Sequence, residues 1–329
     1  MSLPLSIPPG ATARRPVWTE LPEPVRREIE AAAGAGVRDA ETQGSGYTPG
    51  FASRLVLDDG RRVFVKAASS AHPWMIEAYQ AEVDKARLLP PAVPAPRVIF
   101  ERRGVAEDQD WLITGFECVA GRPPARPWRE DEATRVIDAV AAMCRALTPP
   151  PAGTEWQGID GELAPTEDYW ATIVEQRLVP DSLLTVGPEL TRHYLAEHPR
   201  TTLIHGDLRD DNVIVGDRVW VCDWNFPVLG PIWSDVLSLV ISMHGDGLDA
   251  DRLLRRSGLV DDADTAMING FLAALLGYFA IAGRRPEVDN SPYLRRHQRW
   301  YAAATADWLL RRLGQSDSGS PNLAATPRL

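Results

Sequence analysis

The stretch from Leu203 to Trp224, LIHGDLRDDNVIVGDRVWVCDW, constrains this chain more than any other part of it. Two apolar runs, Asn212–Val215 and Arg218–Cys222, flank the dipeptide Gly216-Asp217. Such runs on either side of a two-residue turn predict a β-hairpin, with the glycine at a position that needs a positive φ. The sequence therefore predicts a tight hairpin that fixes the side chains at its open end relative to one another.

Four polar side chains gather at this open end. His205, Asp207 and Asn212 lie before or at the start of the first strand, and Asp223 follows the second. Asp207 and Asn212 are five residues apart, as in the catalytic loop H-R-D-x-x-x-x-N of kinases, with Gly206 in place of the Arg. Two carboxylates and an amide suit a magnesium ion and a substrate hydroxyl, which favours a phosphotransferase. The alternative interpretation is a polar turn capped by Asp and Asn.

Length and charge narrow the functional class. A chain of 329 residues is long enough for two lobes with one core each. Its net charge of −10 argues against a nucleic-acid partner, because there is no basic excess to displace counterions from phosphates. The sequence gives no indication of oligomeric state.

Cysteine usage and apolar segments indicate the compartment. Cys118, Cys144 and Cys222 lie far apart, with no CxxC pair, which predicts reduced core thiols. The N-terminus lacks a charged start followed by an apolar core, and the apolar run Phe271–Ala282 is too short to cross a bilayer. We therefore expect a cytoplasmic protein that does not associate with membranes.

Lysine is scarce in this chain. Only Lys66 and Lys85 are lysines among 35 basic residues, so a retained lysine indicates a chemical requirement for a compact ammonium, such as binding of phosphate oxygens. Lys66 lies one strand after a glycine-rich turn that begins Gly44, Ser45, Gly46, the arrangement that covers nucleotide phosphates in kinases. Lys85 is expected on a helix surface.

A helix over Trp74–Leu89 follows the lysine strand. In a kinase-like lobe, a glutamate of this helix pairs with the strand lysine and fixes its orientation. Glu82 is the favoured residue and Glu77 the alternative. The strand end Ile113–Cys118 is expected to form the hinge, where backbone groups could bind the adenine edge.

These elements predict an α+β chain with a bilobal, protein-kinase-like fold. Its N-terminal lobe is an antiparallel five-stranded sheet with a helix, and its C-terminal lobe is mostly helical. We expect a flexible segment over 1–20, a nucleotide-binding lobe over 21–117, a catalytic and substrate-binding lobe over 118–314, and a disordered tail over 315–329. Helices are expected near Pro188–Glu197, Trp233–Met243, Thr265–Ala282 and Pro292–Leu313, with Ser291 capping the last.

Taken together, the chain resembles the aminoglycoside phosphotransferase family, which includes choline and small-alcohol kinases. The resemblance covers roughly Gly44 to Trp308. It rests on the motifs GSGYTPGFASRL, VFVKA, IHGDLRDDN, VCDW and WSDV and on the helix that carries Glu82.

The resemblance implies roles for residues at matching positions. Asp207 would be the catalytic carboxylate, which accepts or orients the substrate hydroxyl. Asn212 and Asp223 would hold Mg²⁺ on the phosphates of ATP. The remaining implied roles concern the nucleotide and the loop: Gly44, Ser45, Gly46 and Lys66 would contact phosphates, Glu82 would steady Lys66, and His205 and Asp235 would brace the catalytic loop.

The expected substrate is a small hydroxylated molecule. Trp224 after Asp223 and the short segment before it argue against a protein kinase. The region 121–200 has thirteen Asp or Glu against eight Arg, a net of −5, which would attract a cationic substrate such as an aminoglycoside. Solvated helix faces would give the same count, so a metabolite such as an amino alcohol or sugar stays open. A non-catalytic nucleotide-binding protein is the alternative from another class.

Overall fold

The computed structural model describes residues 3, 7 and 12–314 and has two lobes, each with its own hydrophobic core. The tail over 315–329, and residues 1, 2, 4–6 and 8–11 of the segment 1–20, lie outside the described residues. The flexibility expected of 1–20 stays a prediction.

The N-terminal lobe is a five-stranded antiparallel sheet with one helix on each face. Helix α1 buries Val25, Ile29 and Ala33, which are spaced four apart, and it ends at Gly34 in the left-handed conformation. The strand order β1-β2-β3-β5-β4 places β3 at the centre of the sheet. The elements are α1 (Glu23–Ala33), β1 (Val37–Thr42), β2 (Phe51–Leu57), β3 (Arg62–Ser69), α2 (Pro73–Ala86), β4 (Val98–Ala106) and β5 (Gln109–Glu117).

The C-terminal lobe is mostly helical. Two short antiparallel strand pairs, β6 with β9 and β7 with β8, lie on the side that faces the sheet lobe and hold the predicted catalytic hairpin. The elements are α3 (Glu130–Ala146), α4 (Ile159–Leu163), α5 (Thr166–Gln176), α6 (Asp181–Glu197), β6 (Thr202–Ile204), β7 (Val213–Val215), β8 (Val219–Val221), β9 (Val228–Gly230), α7 (Ser234–Gly245), α8 (Ala250–Arg256), α9 (Thr265–Ala282) and α10 (Leu294–Arg312). The expected α+β, two-lobed architecture is confirmed.

Helix α9 is the central helix of this lobe. With 18 residues and a mean hydropathy of 1.7 it is long and apolar enough to cross a membrane, so the expectation that its apolar run is too short was wrong. Most of its residues are buried instead, and the helix packs against α5, α6 and α10. Burial rather than length marks α9 as a core helix.

Two further local predictions were wrong. Val215 pairs with Val219, so the hairpin loop has three residues, and Gly216 does not adopt a positive φ. Glycine is needed there for space, because an added Cβ would overlap the carbonyl oxygen of Ala120. Helix α6 begins at Asp181 and runs through Pro188, and Gly187 in its first half lies against Trp170 of α5.

Ser291 does not cap α10. Its hydroxyl donates to the backbone oxygen of Tyr47 at 2.6 Å, and the helix begins at Leu294 with no side-chain cap. The bond joins the turn after β1 to the C-terminal lobe, so Ser291 connects the two lobes.

Candidate active site

The loop after β6 is held by a buried carboxylate. The backbone N–H of His205 donates to Asp235 Oδ2 at 2.7 Å, and that of Gly206 donates to Oδ1 at 3.2 Å. Gly206 has a φ of +79°, and an added Cβ would overlap the carbonyl oxygen of Phe226. Asp235, in the first turn of α7, therefore fixes the path of the loop that leads to Asp207.

The imidazole of His205 links this loop to the end of β8. Its Nε2 lies 2.9 Å from the carbonyl oxygen of Cys222, and its Nδ1 lies 3.3 Å from the backbone N–H of Asp207. Only a neutral ring with the proton on Nε2 satisfies both contacts. Burial also lowers the pKa of His205, which favours that neutral form. His205 therefore acts as a brace between two chain segments.

The hairpin brings Asn212 and Asp223 to the same place as Asp207. Asn212 Nδ2 donates to the backbone oxygen of Asp207 at 2.8 Å. The backbone N–H of Cys222 donates to the backbone oxygen of Asn212 at 2.9 Å. Asp223 has a φ of +68°, an unusual backbone conformation for a residue other than glycine, which the surrounding contacts maintain.

Lys66 joins the two lobes at this point. Its Nζ lies 2.8 and 2.7 Å from the two carboxylate oxygens of Glu82 and 2.7 Å from Asp223 Oδ1. Glu82 is buried, whereas the alternative, Glu77, is exposed. Lys66 reaches Glu82 because β3 and α2 pack together.

Charge pairing outweighs burial at Lys66 and Asp223. Burial alone would lower the pKa of Lys66, but Asp223 and Glu82 raise it above its usual range. Burial alone would raise the pKa of Asp223, but Lys66 brings it down to about 2. Asp223 is therefore a full carboxylate at neutral pH.

The glycine-rich turn accepts hydrogen bonds from the segment that precedes α1. The side-chain oxygen of Thr12 donates to the backbone oxygen of Gly46 at 2.6 Å, and Arg15 Nη2 donates to that of Ser45 at 2.8 Å. The backbone N–H of Thr12 donates to the oxygen of Gly44 at 2.7 Å. The segment before α1 therefore covers the carbonyl side of the turn, a contact that no sequence motif predicted.

Arg209 is a site residue that the sequence reasoning missed. Its guanidinium donates to Asp207 Oδ1 and, through Nε and Nη2, to both oxygens of Asp211 at 3.0 and 3.2 Å. Burial in the cleft raises the pKa of Asp207 to about 6 although Arg209 lowers it. An arginine flanked at two residues on each side by aspartate was the available signal.

Asp210, next in the chain, is engaged elsewhere. It pairs with Arg126 at 2.7 Å and accepts a bond from the Tyr301 hydroxyl at 3.2 Å. Asp211 is clamped by Arg209. Of the three aspartates in this loop, Asp207 alone combines a place at the cleft with a carboxylate oxygen, Oδ2, to which Arg209 does not donate.

The second lysine also contacts this site. Lys85 Nζ donates to the backbone oxygen of Asn225, two residues after Asp223, at 2.8 Å. Lys85 is half-buried, so the expectation of a helix-surface position was wrong. Lys85 thereby joins α2 to the loop after Asp223.

The oxygen donors fit a magnesium ion better than a metal held by the protein alone. Among residues 12–314 no three His, Cys, Asp or Glu side chains gather as a metal site. Asn212 Oδ1 and Asp223 Oδ2 are oxygen donors left over after the bonds described above, and the Asn225 Oδ1 beside them is buried without a hydrogen-bond partner. Mg²⁺ characteristically takes one or two protein oxygens and completes its shell with water and phosphate.

These groups line a cavity of about 460 Å³ between the lobes. One end lies against β5 and the residues after it, namely Phe116, Glu117, Cys118 and Val119. Ile113 does not line it, because its side chain packs in the core between the sheet and α1. Of the predicted hinge Ile113–Cys118, only the part from Phe116 onward therefore reaches the cavity. The other end lies against α4, α9 and α10.

Comparison with known proteins defines the class. The profile of the phosphotransferase enzyme family matches residues 49–268, so the chain belongs to this family. No curated protein sequence matches the chain. The fold is kinase-like, as predicted, and is shared with solved structures of low sequence identity.

Three of these structures illustrate the likeness. The GDP complex of an aminoglycoside 2'-phosphotransferase is 14% identical, with a TM-score of 0.60 over 89% of this chain and 98% of that one. A spectinomycin phosphotransferase bound to ADP and spectinomycin is 11% identical, with a TM-score of 0.58 over 89% and 98%. A protein assigned as a fructosamine-3-kinase from Thermobifida fusca is 19% identical, with a TM-score of 0.53 over 87% and 98%. At these identities the likeness concerns the fold.

Proposed function

We propose that this phosphotransferase moves the γ-phosphoryl group of ATP, with Mg²⁺, to a hydroxyl of a small molecule. The observation that carries the proposal is the meeting of Lys66, Glu82 and Asp223 with Asp207 and Asn212 at one cavity. Phosphoryl transfer needs positioning and charge neutralisation, and these residue types supply both.

Asp207 would act on the acceptor. With a pKa of about 6 its carboxyl is mostly ionised at neutral pH, yet basic enough to take a hydroxyl proton late in the reaction. The bond from Arg209 holds Oδ1, which leaves Oδ2 for the hydroxyl. Arg209 thereby fixes the direction in which Asp207 accepts.

The other residues would bind the nucleotide. Lys66, steadied by Glu82, would contact phosphates, and the turn Gly44, Ser45, Gly46 would cover them. Asn212 and Asp223 would hold Mg²⁺, which neutralises phosphate charge when bound. The adenine edge would meet the backbone at 116–119. Related folds were solved with ADP and with GDP, so nucleotide preference is a question for the same assay.

Two alternatives have less support. A non-catalytic nucleotide-binding protein has no use for a carboxylate oriented by a dedicated arginine, as Asp207 is. A protein substrate would need an open, extended surface beside Asp207, whereas α4, α9 and α10 close this end of the cavity. We further propose a cytoplasmic protein with lobes over 21–117 and 118–314, in keeping with three free thiols at Cys118, Cys144 and Cys222.

The test is ADP release by the purified full chain with MgATP and a panel of aminoglycosides, other antibiotics, amino alcohols and sugars. We expect at least one acceptor to stimulate ADP release and to gain one phosphoryl group by mass spectrometry. Absence of stimulation across the panel, together with failure to bind MgATP, would refute the proposal.

A further inference from the structure

The acidic excess of the region 121–200 does not face the acceptor end of the cavity. Of its thirteen Asp and Glu residues, Glu162 alone lines the cavity within the described chain. Seven of the others form ion pairs outside it: Glu130–Arg252, Asp131–Arg129, Glu132–Arg122, Asp138–Arg256, Asp160–Arg200, Glu167–Arg192 and Asp181–Arg177. The count of −5 that favoured a cationic substrate therefore describes solvated helix faces.

Besides Asp207, the carboxylates at this end of the cavity are Glu162 and Asp211, and Asp211 is already paired. Glu162 is exposed at the rim and close enough to Lys85 for its charge to act on that ammonium. Asp211 is bound by Arg209 through two hydrogen bonds. A substrate with several ammonium groups would lose hydration on entering and find no set of carboxylates to replace it.

The cavity wall formed by α4, α9, α10 and the loop after Asp223 is apolar. Leu163 of α4, Leu275 and Phe279 of α9, and Leu294 of α10 line this end, together with Phe226 from the loop after Asp223. Phe226 is 50% exposed, a large apolar side chain in reach of a ligand. We call these five residues the apolar wall.

Polar groups are few beside the apolar wall. Tyr278 lies close enough to Asp207 for that carboxylate, after burial, to help raise the pKa of the phenol. His297 and Gln298 of α10 also line this end, and so does Tyr47, whose ring centroid lies 5.1 Å from that of His297. Burial lowers the pKa of His297 to about 4, so its ring is neutral at neutral pH.

We propose that the acceptor is an amphipathic hydroxylated molecule with at most one cationic group. Its apolar face packs on the apolar wall while one hydroxyl reaches Asp207. Burial of apolar area at about 25 cal/mol per Å² would supply the affinity, and Tyr278 and Gln298 would orient polar groups. This rests on the proposed function, because it assigns the substrate class of the same site.

The first test measures binding and does not depend on turnover. N-phenyl-1-naphthylamine, a neutral apolar fluorophore, is titrated into the full chain saturated with Mg²⁺ and AMP-PNP, which occupies the nucleotide end. We expect one-to-one binding that Leu294→Asp weakens at least fivefold. An acid at the start of α10 is favourable for the helix, so this variant should fold. Leu275→Asp is the second variant.

The control is Val174→Asp, which adds the same charge on the exposed face of α5, outside the cavity lining. It should leave fluorophore binding unchanged. Kanamycin, a polycation, should not displace the fluorophore at millimolar concentration. Absence of binding, equal effects of the wall and control variants, or displacement by kanamycin would overturn the proposal.

The second test uses the ADP-release panel. The best acceptor should carry at most one amine, and its kcat/KM should fall at least tenfold in Leu294→Asp and stay unchanged in Val174→Asp. A polycationic best acceptor would overturn the substrate class while leaving the phosphotransferase intact. Fluorophore binding without any phosphoryl transfer would support the apolar subsite and count against the proposed function instead.

Discussion

Arg209→Gln should move the acidic limb of the pH–rate profile upward. Burial raises the pKa of Asp207, the charge of Arg209 opposes this, Asp211 reinforces it, and the result is about 6. Glutamine at position 209 removes the cation and leaves the repulsion from Asp211. The loss of the cation therefore makes the Asp207 carboxyl harder to ionise.

The size of the shift follows from these contacts. Loss of an adjacent opposite charge raises a carboxyl pKa by about 1–3 units. Because the pKa of Asp207 starts from about 6, the apparent pKa of the acidic limb should move to about 7 or higher. At pH 7 roughly nine-tenths of the wild-type carboxyls are ionised, against about half or fewer in the variant. The variant should recover when the pH is raised to about 9.

The assay is kcat/KM for ADP release between pH 5 and 9 at saturating Mg²⁺. Asp211→Asn should shift the limb downward, because it removes a repulsive charge and leaves Arg209 to Asp207. Arg256→Gln, which breaks an exposed pair with Asp138, is the control and should leave the limb in place. An unmoved limb in Arg209→Gln, or a shift in the same direction for Asp211→Asn, would refute the reasoning.

Three further predictions concern the metal, the lysines and the loop. Asp223→Asn should reduce turnover at least about 100-fold at any Mg²⁺ concentration, with the native circular dichroism spectrum retained at 25 °C; normal kinetics would remove this residue from the metal site. Lys66→Arg should lower kcat at least about tenfold, since a planar fork does not fit an ammonium position, whereas Lys85→Arg should stay within about twofold because either side chain can donate to a carbonyl. Gly206→Ala should destabilise the chain more than Gly60→Ala in urea unfolding: both have a positive φ, which costs about 1–2 kcal/mol, but only Gly206 lacks room for a Cβ. Equal losses of unfolding free energy in the two variants would contradict the overlap expected of a Cβ at position 206.

The catalytic loop could be predicted because its geometry is local. Asp207, Asn212 and Asp223 lie within seventeen residues on one hairpin, so their spacing largely fixes their arrangement. Lys66 and Glu82 could be paired in advance because a strand and the next helix bring them together. The five-stranded sheet followed from alternating apolar residues and turn signals.

Other features depend on contacts between distant segments. The contact of Ser291 with Tyr47 spans 244 residues, and that of Lys85 with Asn225 spans 140. The composition likewise gives the number of acidic residues in a region but not the direction of their side chains. Asp138 meets Arg256 across 118 residues, and only the folded chain shows that such pairs lie outside the cavity.

Asp207→Asn tests most directly whether this carboxylate acts on the acceptor hydroxyl. The amide keeps the size and one acceptor oxygen but cannot take the proton. With the best acceptor of the panel, kcat should fall by about 10²–10⁴, the range for loss of a general base. The dissociation constant for MgATP, measured by calorimetry on the same protein, should stay within about twofold because Lys66 and the metal ligands are untouched. A near-normal kcat, or a variant whose main defect is weakened MgATP binding, would contradict the role of Asp207.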